Sequence, residues 1–125
     1  QPMVYLTFHS YSQLWMYPWG YTSDLPDNWE DLDAMAQDAV AALTAVHGTE
    51  YEIGSSTNVI YLAAGGSDDW ALGVGGSEYA YTIELRDTGR YGFLLPEDLI
   101  IPTAEETFEA FKAVGRIVAA SSKKQ

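Results

Sequence analysis

The chain contains no cysteine, so it can form no disulfide, and its redox compartment cannot be inferred from disulfide usage. Basic residues are also scarce: six Lys and Arg stand against 18 Asp and Glu, which gives a net charge of −12. Nucleic acids and anionic membranes are bound through basic patches, so this balance argues against both partners. No apolar run reaches the roughly 20 residues of a transmembrane helix, which argues against a membrane anchor.

The composition is that of a folded domain, with 47% hydrophobic and 14% aromatic residues among 125. Such a length suits one domain with a modest core. The chain has no initiator methionine and no signal-peptide pattern, and it opens Gln-Pro-Met directly before an apolar run. We therefore expect a processed or nicked N-terminus, with the chain as the C-terminal piece of a longer precursor.

The hydrophobic periodicity predicts an α/β fold in which strands and helices alternate. The predicted elements are a strand at 3–10, an aromatic loop at 15–27, a helix at 28–47, a short strand at 51–53, a turn at 54–57, a short helix from 68, a strand at 79–84 and a helix at 104–121. The first strand is almost continuously apolar, which is typical of a central strand covered on both faces. Lys123 and Lys124 are predicted to form an unstructured tail.

Polar residues at the helix ends predict where the helices start and stop. Asp27 or Asn28 is expected to cap the helix at 28–47, Gly48 to end it and Ser67 to cap the short helix. Thr103 and Glu106 have the spacing of a capping box for the last helix. The apolar stripe expected on that helix consists of Phe108, Phe111, Val114, Ile117 and Val118.

Two titratable side chains stand at the ends of apolar strands, where open α/β sheets carry their sites. His9 ends the first strand, and Glu84 ends the strand at 79–84. Each has a plain structural explanation: a lone histidine is usually not a metal ligand, and Glu84 could pair with Arg86 or Arg90. Residue types alone favour these structural roles.

Three segments resemble, in the same order, the zinc metallocarboxypeptidases of the A/B family. The string IELRDTGRYGFLLP at 83–96 resembles the segment that bears the family's catalytic glutamate. The strings HSYSQL and YPWGYT at 9–22 resemble the segment with its last zinc-binding histidine, and NVIYLAAGGSDDWA at 58–71 is the third match. The resemblance runs from about Tyr5 to Val118, but it covers only the C-terminal part of the family's catalytic domain.

The resemblance implies a role for each matched residue. Glu84 would be the general base of peptide hydrolysis, and His9 would be a ligand of one Zn²⁺ ion. Tyr61 would be the mobile tyrosine that closes over the substrate's C-terminal carboxylate. Among substrate-binding residues, Ser10, Tyr11 and Phe93 fall on the segments that hold the substrate's upstream residues.

The residue at position 68 lies where the family sets its specificity. An aspartate there accompanies removal of C-terminal Lys or Arg, because a buried carboxylate pairs with a cationic side chain and rejects apolar groups. Ser56 is small and would leave room for a long basic side chain. Asp68 therefore predicts B-type specificity, with apolar specificity as the lesser alternative.

The resemblance also implies that groups are missing from this chain. The family's other zinc ligands, a histidine and a glutamate, belong to a His-x-x-Glu motif in its earlier part. The run His47-Gly48-Thr49-Glu50 fits that spacing but ends a helix and follows His9, so we interpret it as a chance match. The expected domain is thus residues 1–125 as the C-terminal segment of one catalytic domain, paired with an N-terminal chain.

The functional prediction is a zinc-dependent exopeptidase that releases C-terminal Lys or Arg, as one chain of an assembled or nicked enzyme. The alternative is a non-catalytic fragment that binds peptide or a regulator without metal. The family fold is a mixed, largely parallel eight-stranded sheet with flanking helices, of which this chain would be the C-terminal part. Secretion as a digestive enzyme, a zymogen form and proteinaceous carboxypeptidase inhibitors are family-level expectations. Cis peptide bonds are expected at Ser10–Tyr11, Pro18–Trp19 and Arg86–Asp87.

Overall fold

A mixed four-stranded sheet lies at the centre of residues 3–121, the part of the chain that the computed structural model describes. Its strands are β1 (Val4–Ser10), β2 (Leu14–Tyr17), β3 (Glu52–Ser55) and β4 (Tyr79–Leu85), in the order β1-β4-β2-β3. β1 runs parallel to β4 and β2 parallel to β3, whereas β2 and β4 are antiparallel. The predicted α/β class with a mixed sheet and flanking helices is confirmed.

Helices cover both faces of this sheet. They are α1 (Trp29–His47), α2 (Ser56–Val59), α3 (Ser67–Gly73) and α4 (Ile100–Ser121), with 3-10 turns at Gly92–Leu94 and Glu97–Leu99. α1 and α4 pack against each other over one face, and α3 contacts β4 and β1. Within residues 3–121, no helix combines the length and apolarity that crossing a membrane requires.

The core lies between the sheet and the pair α1 and α4. The alternation predicted for β4 is confirmed, since Tyr79, Tyr81 and Ile83 all point into this core. The Tyr81 hydroxyl donates a hydrogen bond of 2.8 Å to the carbonyl oxygen of Leu32 in α1, and its ring meets Trp15 edge to face. Thr82 and Glu84 therefore point to the opposite face of the sheet.

The predicted aromatic loop contains a strand that the sequence analysis missed. All residues of β2, Leu14–Tyr17, are buried between β3 and β4. The segment is only four residues long and is followed at once by Pro18 and Gly20. Its partners are distant in sequence, so only tertiary contacts make it a strand. The predicted turn after Ile53 is likewise wrong, because β3 continues to Ser55 and α2 follows.

β1 is an edge strand of the described sheet, so the prediction that it is a central strand is not met by residues 3–121. Phe8 is partly exposed, and its ring stacks on Phe111 of α4 at a centroid distance of 5.7 Å. Phe108 and Phe111 are 62% and 46% exposed. Together with Val4 and Leu6 these rings form an apolar surface, which we call the β1–α4 face.

The buried side of α4 differs from the predicted stripe. It consists of Thr103, Glu106, Ala110, Ala113 and Val114, so only Val114 of the predicted stripe is fully buried. The helix begins at Ile100, earlier than predicted, which places Thr103 inside it. The Thr103 hydroxyl donates to the Leu99 carbonyl at 2.6 Å, so the predicted capping box is wrong.

The other predicted helix ends are confirmed in part. Gly48 ends α1 in a left-handed conformation with φ of 77°, and its amide donates to the Thr44 carbonyl. Asn28 occupies the N-cap position of α1, but its side chain donates to the Glu78 carbonyl instead of capping. Ser67 is the first residue of α3 and not its cap. The predicted tail at Lys123 and Lys124 lies outside the described residues.

Candidate active site

The two side chains predicted for zinc binding and proton transfer lie next to each other. Because β1 and β4 run parallel and in register, His9 pairs with Glu84 across the strands. Both side chains project from the face opposite the α1–α4 core, and His9 is exposed at the strand end. The His9 Nε2 atom is 3.0 Å from the Thr7 hydroxyl. The sheet therefore brings an imidazole and a carboxylate together at the C-terminal ends of β1 and β4.

The Glu84 carboxyl lies in an environment that disfavours its charged form. Burial raises the pKa of Glu84 above the usual glutamate range, and the charge of His9 acts in the opposite direction. Its Oε2 atom is buried without a hydrogen-bond partner among residues 3–121. The structural explanation by an arginine pair is wrong for the described residues, since Arg86 pairs with Glu106 and Arg90 lies over the Tyr91 ring. Glu84 thus has a free oxygen available for a proton.

A cavity of about 140 Å³ extends from Glu84 toward α3. It brings together the predicted residues Ser56, Tyr61, Asp68 and Glu84, which come from α2, the loop after α2, α3 and β4. The residues that complete its lining are Met16, Gly20, Ile60, Ala63, Gly66 and Thr82. The structure therefore joins the specificity segment and the strand-end carboxylate in a single pocket.

Asp68 is a buried carboxylate in this cavity, with only 6% of the residue exposed. Burial raises its pKa, the charge of Asp69 adds to that effect, and a hydrogen bond with Thr82 opposes it. Its Oδ2 atom has no partner among the described residues. A side chain at Gly66 would place its Cβ 2.7 Å from Asp68 Oδ1, so this glycine leaves space for the carboxylate. Asp68 can accept hydrogen bonds from a cationic ligand.

The predicted mobile tyrosine lies on an exposed loop at the cavity. Tyr61 is 68% exposed, and the neighbouring residues 60–65 are exposed as well. The loop is attached to the 18–21 segment through the Ala63 amide, which donates to the Gly20 carbonyl at 2.7 Å. Ser56 begins α2, and its hydroxyl donates to the Tyr17 carbonyl at 3.4 Å. Tyr61 therefore has few contacts that restrict its side chain.

A second group of predicted residues lies at and after the end of β1 and on the loop that follows β4. The rings of Tyr11 and Phe93 meet edge to face at a centroid distance of 5.0 Å, and Ser10, the residue before Tyr11, is exposed. The loop that follows β4 is organised by Asp87, whose carboxylate accepts hydrogen bonds from the amides of Gly89, Tyr91 and Gly92. The peptide bonds Ser10–Tyr11, Pro18–Trp19 and Arg86–Asp87 are all cis, as the resemblance predicts.

Sequence reasoning missed several residues that shape the site. Thr82 lies two residues before Glu84 on the same strand face, so alternation could have indicated it. Met16 carries no local signal, because it lies in β2, which is a strand only through its tertiary partners. Arg86 and Glu106 form a buried pair in which Arg86 Nε lies 3.0 Å from Glu106 Oε2. No local signal connects those two residues, and the spacing of Thr103 and Glu106 predicts a capping box for Glu106 instead.

The described residues do not contain a complete metal site. Among residues 3–121, no group of three His, Asp or Glu side chains is arranged to hold a metal ion. His47, the histidine of the chance His-x-x-Glu match, instead contacts Glu105 of α4 at 3.0 Å. His47 therefore links the end of α1 to α4.

Comparison with known proteins identifies the class. Residues 1–110 match the zinc carboxypeptidase family, and the chain belongs to that family. It is 78% identical over 115 residues to carboxypeptidase B of Astacus astacus, covering 92% of this chain and 38% of that protein. It is 54% identical to human carboxypeptidase B over 92% of this chain and 27% of that protein. Mouse carboxypeptidase A2 is 51% identical over 89% of this chain and 26% of that protein.

Solved structures give the same answer. Bovine thrombin-activatable fibrinolysis inhibitor, solved in complex with tick carboxypeptidase inhibitor, superposes with a TM-score of 0.92 at 40% identity. The match covers 95% of this chain and 40% of that one. The carboxypeptidase A of Helicoverpa armigera superposes with a TM-score of 0.87 at 30% identity, over 97% of this chain and 31% of that one. The chain thus spans about two fifths or less of the relatives it matches.

Proposed function

We propose that this chain is the C-terminal segment of a zinc carboxypeptidase domain whose complete form releases C-terminal Lys or Arg from peptides. The observation that carries the proposal is Asp68, a buried carboxylate with an unpartnered oxygen in a cavity shared with Glu84 and Tyr61. An unpaired buried charge is costly, and a cationic side chain that entered the cavity would relieve that cost. The chain is 78% identical to the carboxypeptidase B of Astacus astacus and 51% identical to mouse carboxypeptidase A2, a difference that also supports B-type specificity.

His9 fits the role of one zinc ligand. Its imidazole is exposed at a strand end, and neutral imidazole nitrogen is a common zinc donor. The other ligands would come from outside these 125 residues, since zinc in catalytic sites takes three protein ligands. A zinc ion held there would supply the Lewis acidity that polarises water and the scissile carbonyl.

The remaining roles belong to residues of this chain. Glu84 accepts the proton of the attacking water and returns it to the departing amine, and the raised pKa that burial gives its carboxyl strengthens it as a base. Tyr61 closes over the substrate's terminal carboxylate. Asp68 binds the basic side chain of the departing residue. Tyr11 and Phe93, with Ser10 beside them, hold the residues upstream of the cleaved bond.

The rest of the domain would pack against the β1–α4 face. Large apolar patches are uncommon on monomeric soluble proteins, and β1 has an unpaired edge within the described sheet. Binding of a proteinaceous carboxypeptidase inhibitor is supported by the bovine relative solved with a tick inhibitor. Secretion, a digestive role and a zymogen form are proposed from the family resemblance alone.

Three measurements test the proposal. Mass spectrometry of the isolated protein should find this chain together with, or joined to, a polypeptide that supplies the rest of the domain. The assembled protein should release Arg from a peptide that ends in Arg, and a zinc chelator should abolish this release. The variant Asp68→Ile should lose about a hundredfold or more in kcat/KM for C-terminal Arg and gain activity on C-terminal Leu, because the buried ion pair is lost.

Asp38→Asn provides the matched control. Asp38 is exposed on α1, so removing its charge should change neither substrate preference nor rate by more than about twofold. Unchanged Arg preference in Asp68→Ile would remove the specificity assignment. Peptide binding without zinc and without hydrolysis would favour the non-catalytic alternative.

A further inference from the structure

We propose that Asp69 is a positioning residue that holds the Tyr61 loop in place by acting through Gly20. The inference rests on the proposed function, since it assigns Tyr61 to the substrate's terminal carboxylate. Asp69 has no assigned role in the reaction, although it lies next to Asp68 in α3. Its contacts differ completely from those of its neighbour.

Asp69 is fully engaged with the backbone of the 18–21 segment. The Gly20 amide donates to Asp69 Oδ1 at 2.9 Å and to Oδ2 at 3.1 Å, and the Tyr21 amide donates to Oδ2 at 3.2 Å. Hydrogen bonds to a charged acceptor are stronger than neutral ones. The carboxylate thereby fastens this segment to α3.

The same glycine holds the Tyr61 loop through its other backbone group. The Gly20 carbonyl accepts from the Ala63 amide at 2.7 Å and from the Thr57 hydroxyl at 2.7 Å. A Cβ at Gly20 would lie 2.8 Å from the Ala63 carbonyl oxygen, so the two backbones can approach only because position 20 is glycine. A chain of hydrogen bonds therefore runs from Asp69 through Gly20 to Ala63, two residues from Tyr61.

This arrangement separates the functions of two adjacent carboxylates. Both oxygens of Asp69 accept from amides, whereas Asp68 Oδ2 has no partner among the described residues and faces the cavity. Asp68 is consequently the carboxylate that can receive a cation. Asp69 sets where the opposite wall of the cavity and the base of the tyrosine loop lie.

A double-mutant cycle in the assembled enzyme tests the proposal. The variant Asp69→Ala should raise KM about ten- to a hundredfold for peptides ending in Arg and in Leu alike, with a smaller change in kcat. In a Tyr61→Phe background the same substitution should have a much smaller effect, because the contact that it positions is already lost. Asp69→Asn retains one acceptor oxygen and should lie between Asp69→Ala and the unchanged protein.

Hydrogen exchange gives a readout that does not depend on activity. In Asp69→Ala the amide of Ala63 should exchange at least about tenfold faster, while the amide of Tyr81 in β4 keeps its rate. Asp38→Ala, which removes an exposed carboxylate, should change neither rate. An unchanged Ala63 rate, or additive effects of the Asp69 and Tyr61 substitutions on KM, would overturn the proposal. If the unsubstituted protein is inactive on these peptides while the Ala63 amide still exchanges faster in Asp69→Ala, the result counts against the proposed function and not against the role of Asp69.

Discussion

Replacing Glu106 with alanine should destabilise the protein strongly, because it leaves a charged partner unpaired in the interior. Glu106 is fully buried in α4, and the Arg86 side chain is only 14% exposed. Arg86 binds both carboxylate oxygens of Glu106 and also donates to the Thr49 hydroxyl at 3.0 Å. The Thr49 hydroxyl in turn donates to Glu106 Oε1 at 2.7 Å.

The size of the effect follows from this geometry. Removing one partner of a buried ion pair costs about 3–5 kcal/mol, and the loss of the acceptor for Thr49 adds about 1 kcal/mol. Because Arg86 retains some access to water, we expect a decrease of about 3 kcal/mol in the free energy of unfolding. The double variant Arg86→Met with Glu106→Leu removes both charges and should recover most of that loss.

Urea unfolding followed by circular dichroism measures these differences. The control is Glu105→Ala on the same helix, since the Glu105 side chain is half exposed and its ion-pair partner is the exposed His47. It should cost less than about 1 kcal/mol. Equal losses for Glu105→Ala and Glu106→Ala, or a double variant no more stable than Glu106→Ala, would refute the reasoning.

Three further predictions concern glycines and titratable groups. Gly92→Ala should destabilise the protein by about 1–2 kcal/mol, because φ is +58° at Gly92 and the new Cβ would meet the Tyr11 ring. Gly115→Ala adds a Cβ in open space on α4 and should stabilise the protein by about 0.5–1 kcal/mol. Equal effects of the two substitutions in urea unfolding would contradict this. Asp68→Asn should raise the free energy of unfolding at pH 7 but not near pH 3. The pKa of Asp68 is raised in the folded protein, so its contribution to stability is present at low pH and is lost as pH rises through that pKa. An equal difference between variant and unsubstituted protein at both pH values would argue against this. Asp33→Asn should lower the pKa of Tyr17 from about 12, as followed by phenol absorbance, since burial, the charge of Asp33 and its hydrogen bond all raise it; an unchanged titration would exclude that cause.

Local patterns account for much of the fold. The alternation of Tyr79, Tyr81 and Ile83 against Thr82 and Glu84 correctly assigns the two faces of β4, and the 3.6-residue period correctly predicts α1. Such periods depend on residues a few positions apart, so they can be recognised in the chain alone. The same alternation places Glu84 on the face away from the core, where the cavity lies.

Long-range contacts account for the parts that local patterns could not predict. Leu14–Tyr17 is a strand only because β3 and β4 flank it, and the buried side of α4 is chosen by its packing against α1. Glu106 has the spacing of a cap residue, but its actual partner is Arg86, 20 positions away in the chain. Contacts of this kind depend on which surfaces meet after folding, and periodicity does not encode them.

The amino-acid sequence by itself determined which chemical groups are present: an imidazole and a carboxylate at strand ends, and adjacent carboxylates before Trp70. Only the tertiary structure decided how they are used. Parallel pairing of β1 and β4 makes His9 and Glu84 neighbours. The fold buries Asp68 beside an open cavity, whereas the carboxylate of Asp69 accepts hydrogen bonds from the amides of Gly20 and Tyr21. The physical reason is that a carboxylate's role depends on its solvation and its hydrogen-bond partners, and folding sets both.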